Sequence, residues 1–294
     1  SVCSAPWALS LDGPRIAFGG VTPDLQRGMY VITPEGAGIE QLISSGLSAS
    51  NPAWSHDGRR IAFEYSDGVD PVRIFRLDTD GGDLRHLSDG PWDGQPTWAP
   101  YDEAIAFKSA RQGSDLQGVY VNYLHGRGDF RLTGLAGALH PSWRPAGDVI
   151  AYAGWYGEGV DIHLMDSYGL HLAQVTDGQR YVSQPTWHPR EDTLAYVAEG
   201  DGENYDIHAI NTDGTKERRL TAHPAYDHDP DWSPDGTQIL FTSDRDGDEY
   251  GALFIMDLNG RNVRRVTDGR FIGIEGASWY DPNYPRSVSS TGRH

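Results

Sequence analysis

His140, Gln184 and Asp229 each stand immediately before a Pro-x-Trp phrase, 44 and then 45 residues apart. An imidazole, an amide oxygen and a carboxylate brought together would suit a borderline or hard divalent cation, such as calcium, manganese or zinc. With such an ion, His140 could act as ligand or general base and Gln184 and Asp229 as co-ligands. That set would support a metal-dependent lyase or hydrolase acting on an acidic or neutral glycan. The same place in the other phrases holds Ser4, Asn51 and Gln95, and Gly276 in a late copy. A column that is polar in every full copy can equally hold water or a ligand without any catalysis.

Aromatic rings form a second set. Trp92, Trp155, Tyr181 and Tyr226 lie between the strand-like runs, with Tyr156, Tyr205, Tyr250, Asp93, Asp227 and Asp244 nearby. Rings beside carboxylates are the ingredients of glycan or peptide recognition, because the faces stack while polar groups orient the ligand. They could also simply cover the ends of the sheets. His163 and His208, each in Asp-Ile-His, look like paired metal ligands, but the repeat aligns them with Tyr30, Phe75, Tyr120 and Phe254. That column is expected to pack flat rings between repeat units. Asp244-Arg-Asp-Gly resembles the start of a calcium loop yet lacks the twelve-residue spacing and terminal glutamate. No nucleophile elbow, His-Glu-x-x-His motif or phosphate-binding glycine loop occurs.

The elements that must position these residues come from one repeated phrase. Its tryptophans at 54, 98, 143, 187 and 232, with weaker copies at Trp7 and Trp279, fall 44 to 47 residues apart, the length of a four-stranded propeller blade. The last full unit shows the parts: Asp229–Ser233, a Pro-Asp-Gly turn, Gln238–Thr242, a loop, Ala252–Asp257, an Asn-Gly turn and Asn262–Thr267. Asp-Gly and Asn-Gly between apolar runs mark hairpins, since glycine supplies the positive φ the turn needs. One such sheet cannot bury both faces, so the sheets stack and the ring closes.

The expected fold is therefore all-β, a six-bladed propeller of four-stranded antiparallel blades forming one domain over 1–294. Blades fall near 1–45, 46–90, 91–134, 135–178, 179–222 and 223–270, with 271–294 as a closing strand and tail. The copy at Trp279 is expected either to pair beside the first blade or to cap the seam. Because the first strand of each blade lies innermost, Asn51, Gln95, His140, Gln184 and Asp229 should ring one mouth of the channel. Loops between second and third strands should open on the same face.

Trp-Ser-Pro-Asp-Gly, Ile-Leu-Phe-Thr-Ser-Asp-Arg-Asp-Gly, Phe-Ile-Met-Asp and Arg-Arg-Val-Thr resemble the repeat of TolB-type, WD40-like β-propellers across nearly the whole chain. The resemblance implies a recognition or scaffold module in an extracytoplasmic, periplasmic or secreted, bacterial setting. The α/β domain that precedes the propeller in TolB, and the hydrolase domain that some such propellers gate, have no counterpart in the 294 residues.

Composition narrows the partners. Acidic residues outnumber basic ones 42 to 24, for a net charge of −18, and such a field repels nucleic-acid backbones. No apolar run reaches the roughly 18 residues that a membrane helix needs, and no leader-type segment is expected among these residues. One cysteine, Cys3, cannot form an internal disulfide. The expectation is a monomeric, non-catalytic module that binds a protein or carbohydrate ligand at the channel mouth, with a divalent cation (calcium, manganese or zinc) at the channel as the one candidate cofactor and the metal-dependent glycan enzyme as the alternative.

Overall fold

The computed structural model describes residues 9–284 apart from 44–47, 81, 83, 114–115, 127, 135–136, 146, 157–158, 179, 201–203 and 248–250. The first three strands are β1 (Arg15–Val21), β2 (Arg27–Ile32) and β3 (Glu40–Ile43). The second blade holds β4 (Ser48–Trp54), β5 (Arg60–Ser66), β6 (Arg73–Asp78) and β7 (Arg85–His86). The third holds β8 (Asp93–Trp98), β9 (Ala104–Ser109), β10 (Gly118–Tyr123) and β11 (Asp129–Arg131). The fourth holds β12 (Ala138–Trp143), β13 (Val149–Tyr156), β14 (Gly159–Asp166) and β15 (His171–Gln174). The fifth holds β16 (Val182–Trp187), β17 (Thr193–Glu199), β18 (Tyr205–Asn211) and β19 (Arg218–Arg219). The sixth holds β20 (Asp227–Trp232), β21 (Gln238–Ser243), β22 (Ala252–Asp257) and β23 (Arg264–Arg265), and β24 (Gly273–Tyr280) follows. Six four-stranded antiparallel sheets result, the six-bladed propeller that the repeat predicts. No helix among the described residues is long and apolar enough to cross a membrane.

Ring closure is decided by β24, which pairs with β1 through Arg15↔Tyr280 and Ile16↔Trp279. The last strand of the chain is thus the inner strand of the first blade, and Trp279 is that blade's tryptophan. Trp7 and Ser4 lie outside the described residues.

The middle strands are covered on both faces, so they are continuously apolar rather than alternating. Ile239, Leu240, Phe241 and Thr242 on β21 are all fully buried. Inner strands differ because one edge faces the channel, where no neighbouring strand asks for a donor. Prolines at 52, 96, 141, 185 and 230 are tolerated there for that reason.

Each tryptophan packs against the preceding blade; Trp232, for example, joins a buried cluster with Ala195, Val197 and Ile207. Several also donate a hydrogen bond across that junction. The indole N–H groups of Trp98, Trp187 and Trp232 reach the carbonyl oxygens of Ala53, Ser142 and Thr186 at 2.9, 2.9 and 3.2 Å. In return, side chains at the position before tryptophan accept backbone N–H groups of the next blade. Trp54 N–H bonds Ser278 Oγ at 3.2 Å, Trp143 N–H bonds Thr97 Oγ1 at 3.1 Å, and Trp279 N–H bonds Asp231 Oδ2 at 2.8 Å.

His163 and His208 sit in the ring column, buried, but their ring partners are within the blade. Each meets the tyrosine opposite across strands, Tyr152 stacked on His163 at 29° and Tyr196 tilted at 44° to His208, both with centroids 5.7 Å apart. Phe18–Tyr30, Phe107–Tyr120 and Phe241–Phe254 repeat the pair at 5.7, 6.1 and 5.8 Å.

The indole bond can be measured by difference. Trp187 Nε1 has its acceptor, whereas Trp143 Nε1 is buried without one among the described residues. Trp187→Phe should therefore destabilise the fold more than Trp143→Phe, by about 0.5–1.5 kcal/mol in urea unfolding. Equal losses would show that the tryptophans act through packing alone.

Candidate functional site

The predicted channel column is brought together, and its backbone is unusual. Asn51, Gln95, His140, Gln184 and Asp229 have φ of 48°, 56°, 50°, 51° and 51°, and Gly276 completes the circle at 78°. Each lies in a bulge where the inner strand slips register against its neighbour, as between Ser50 and Ala53 or Ser183 and Thr186. A bulge adds a residue and bends the strand, which lets an edge strand curve around a narrow axis. The left-handed conformation costs a non-glycine residue roughly 1–2 kcal/mol, so something must hold it.

Neighbouring blades supply that hold. The N–H of Gln95 donates to Glu64 Oε1 at 2.7 Å, that of His140 to Gln95 Oε1 at 2.9 Å, and that of Asp229 to Gln184 Oε1 at 2.9 Å. Polar side chains at this column therefore cap the bulge of the next blade as well as line the channel. Gly276 is required in its turn, because a Cβ there would lie 2.9 Å from the Asn51 Cα.

Beside the ring, two charged residues escaped the sequence reading. Glu64 on β5 accepts Asn51 Nδ2 at 2.9 Å in addition to the Gln95 N–H. Gly94 makes room for it, since a Cβ there would be 2.5 Å from Glu64 Oε1. Lys108 holds the matching place on β9, opposite Gly94. Burial raises the Glu64 carboxyl above its usual value, and the hydrogen bonds and Lys108 offset this only in part. A signal was available: Ile-Ala-Phe-Glu64 and Ile-Ala-Phe-Lys108 put a charge where the other middle strands carry Gly19, Ala153, Val197 and Thr242.

Across the channel, Gln184 is tied to Asp229 at both ends, through Asp229 N–H and through its own amide to Asp229 Oδ1. Asp229 Oδ2 lies 3.0 Å from His228 Nδ1. Burial alone would raise the Asp229 carboxyl and lower the His228 imidazole, but their mutual attraction outweighs it, holding Asp229 below and His228 above their ordinary values. His140 is the opposite case. Burial pushes its imidazole down to about 4, against a partial pull from Asp229, and its Nδ1 has no hydrogen-bond partner among the described residues. No three His, Cys, Asp or Glu side chains among the described residues converge on one point.

The ring separates two spaces. Above it opens a mouth of about 410 Å³ lined by Asn51, Glu64, Gln95, Gln184, Asp229 and Glu275. At the ring itself, with His140 and the prolines, lies a smaller cavity, the neck, of about 140 Å³. Ligand sites run to roughly 300–1,000 Å³, so the mouth qualifies and the neck holds water or an ion at most.

The rim aromatics divide. Tyr181, Tyr205 and Tyr226 form a row with centroids 6.0 and 5.5 Å apart and planes inclined at 69° and 49°. Trp92 and Trp155 are 57% and 40% exposed, and among the described residues neither makes a ring contact with that row. Tyr250 and the ring of Tyr156 lie outside the described residues.

Comparison with known proteins agrees with this architecture. Residues 1–189 and 131–283 match the TolB beta propeller domain family, PD40. An uncharacterized protein of Agrobacterium fabrum is 27% identical over 212 residues, 67% of this chain and 70% of that protein. The Tol-Pal system protein TolB 1 of Novosphingobium aromaticivorans is 38% identical over 77 residues, 26% of this chain but 17% of that protein. The crystal structure of TolB from Acinetobacter baumannii superposes with a TM-score of 0.79 at 19% identity, covering 92% of this chain and 67% of that one.

His140 makes stability depend on pH. Its folded pKa of about 4 lies below the ordinary 6.5, so between those values the unfolded chain binds a proton that the native chain refuses. Native stability should therefore fall as pH drops from 6.5 to 4, by up to about 3 kcal/mol from this residue. His140→Asn, which tolerates the left-handed backbone, should flatten that part of a urea-midpoint profile. Parallel profiles would mean that His140 protonates freely.

Proposed function

The chain belongs to the TolB β-propeller domain family, and from that premise we propose that it is a non-catalytic recognition module holding a segment of a partner protein over the channel mouth. The observation that supports this best is the circle of left-handed residues whose side chains cap one another. Gln95, Gln184 and Asp229 are already oriented by hydrogen bonds, so a ligand meets a rigid polar floor and loses little entropy in ordering it. A protein suits the rim better than a glycan, because the planes of the tyrosine row are inclined to one another at 69° and 49° and offer no flat platform for sugar rings. The net charge of −18 favours a basic partner surface. An extracytoplasmic setting, periplasmic or secreted, and a monomeric state complete the reading.

A cross-linking experiment tests the face. A photoreactive phenylalanine analogue placed at Trp155 or Tyr226 should capture partner protein from the source organism, and the same group at Asp235, in the turn at the other end of the blade, should not. Trp155→Ala and Tyr226→Ala should weaken capture at least tenfold with an unchanged thermal midpoint. Capture that favours Asp235 would refute the assignment.

One feature favours the alternative of a metal-assisted glycan enzyme. His140 lines the cavity at the ring, its imidazole is neutral at neutral pH, and its buried Nδ1 has no partner among the described residues. If a divalent cation belongs there, protein purified without added metal should retain calcium, manganese or zinc near stoichiometry and lose it on His140→Ala. Titration calorimetry that shows no binding of these ions would remove the reading.

A further inference from the structure

At the junction of the sixth and first blades, a groove of about 790 Å³ opens beside the mouth, lined by Val21, Leu25, Tyr226, Asp244, Ile274 and Glu275 among others. Arg27 and Glu275 line both spaces, and their ion pair at 2.9 Å stands between them. The two cavities are thus neighbours that share this ion pair as a wall, one over the ring and one at the seam.

Leu25 marks the groove as more than a crevice. It closes the β1–β2 turn, where its N–H donates to the Thr22 carbonyl at 2.8 Å and the Thr22 N–H to the Gln26 carbonyl at 3.0 Å. Its φ is 60° and it is 69% exposed. Glycine or asparagine would fill this left-handed place at lower cost, and an exposed leucine gains nothing from burial. A strained backbone that presents an apolar side chain to a cavity is the kind of departure from local rules that functional surfaces show.

Charge indicates the occupant. Arg27 is paired with Glu275 and His228 with Asp229. Asp244 accepts the Tyr226 N–H at 2.9 Å, forms no ion pair among the described residues, and meets the positive charge of His228 only through its field, His228 being already paired with Asp229. Carboxylates of Asp229 and Glu64 continue into the mouth. We propose that the seam groove takes an extended segment of a partner protein, with a large apolar side chain lying against Leu25, Val21 and Ile274 and a lysine or arginine nearby against Asp244. In an extended chain neighbouring side chains diverge while those two apart share a face about 7 Å apart, so the pair is expected within three residues. This inference rests on reading the same face as the recognition surface and adds a second subsite and the chemistry of its ligand.

A random dodecapeptide library displayed on phage, panned against the whole chain, supplies the probe. The enriched peptides should pair Leu, Ile, Met, Phe or Trp with Lys or Arg within three positions. Binding of the resynthesised peptide, followed by fluorescence polarisation, should weaken at least tenfold with Leu25→Asp and with Asp244→Asn. Asparagine keeps an oxygen for the Tyr226 N–H, and aspartate accepts the left-handed backbone, so both variants should fold; circular dichroism and the thermal midpoint check this. Peptides that lack the pair, or that bind both variants as tightly as wild type, overturn the proposal, as does failure to enrich any peptide. If binding ignores Leu25 and Asp244 but needs Trp155, the mouth remains a recognition face and the groove does not; if it ignores all three, both readings fall.

Discussion

Everything in this propeller depends on how an inner strand bends around a narrow axis. An extended strand is too straight, and the bulge that bends it forces one residue per blade into the left-handed region, Asn51 through Asp229 and then Gly276. The N–H that this turn exposes must find an acceptor or remain unsatisfied next to the channel. Where the acceptor is identified, the neighbouring blade supplies it: Glu64 for Gln95, Gln95 for His140 and Gln184 for Asp229. Local strain is thereby converted into cohesion between blades.

The same economy runs one step further along the strand. The proline after each of the five non-glycine residues needs no donor, because it lies on the channel edge. The tryptophan after that covers the preceding blade, and at Trp98, Trp187 and Trp232 it also donates to it. A four-residue phrase thus carries a cap, an edge, an acceptor for the next blade and a clasp. That is why it recurs while the residues around it drift.

Drift is where the channel becomes specific. Six-fold geometry would make all sides of the mouth alike, yet Glu64 and Lys108 charge one side and the Asp229–His228 pair another. His140, kept neutral by burial, stands between them in chain order. The seam is the further departure. There β24 closes the ring on β1, the residue in the circle is glycine, and an exposed leucine overlooks the largest of these cavities. A recognition surface needs such departures, since a symmetric ring presents the same chemistry at every blade.

The phrase Pro-x-Trp and the Asp-Gly turns determine, by themselves, that the chain is an all-β propeller of six blades and that Asn51, Gln95, His140, Gln184 and Asp229 share a circle. Repeat spacing and strand alternation are local properties, and a repeated local instruction leaves a closed ring as the way to bury every sheet. What tertiary structure alone decided was relational. The sequence cannot say that Gln184 is occupied at both ends by Asp229, since that bond joins strands 45 residues apart. It cannot separate Tyr181, Tyr205 and Tyr226, which touch, from Trp92 and Trp155, which do not join them. Glu64 and Lys108 were visible as charges in apolar strands, but only the tertiary structure shows that Glu64 lines the mouth and that the Lys108 charge reaches Glu64 and His140. The role of Trp279 was open between pairing and capping until β24 was seen beside β1. In each case the deciding quantity is a distance between blades, and no residue pattern within a blade contains it.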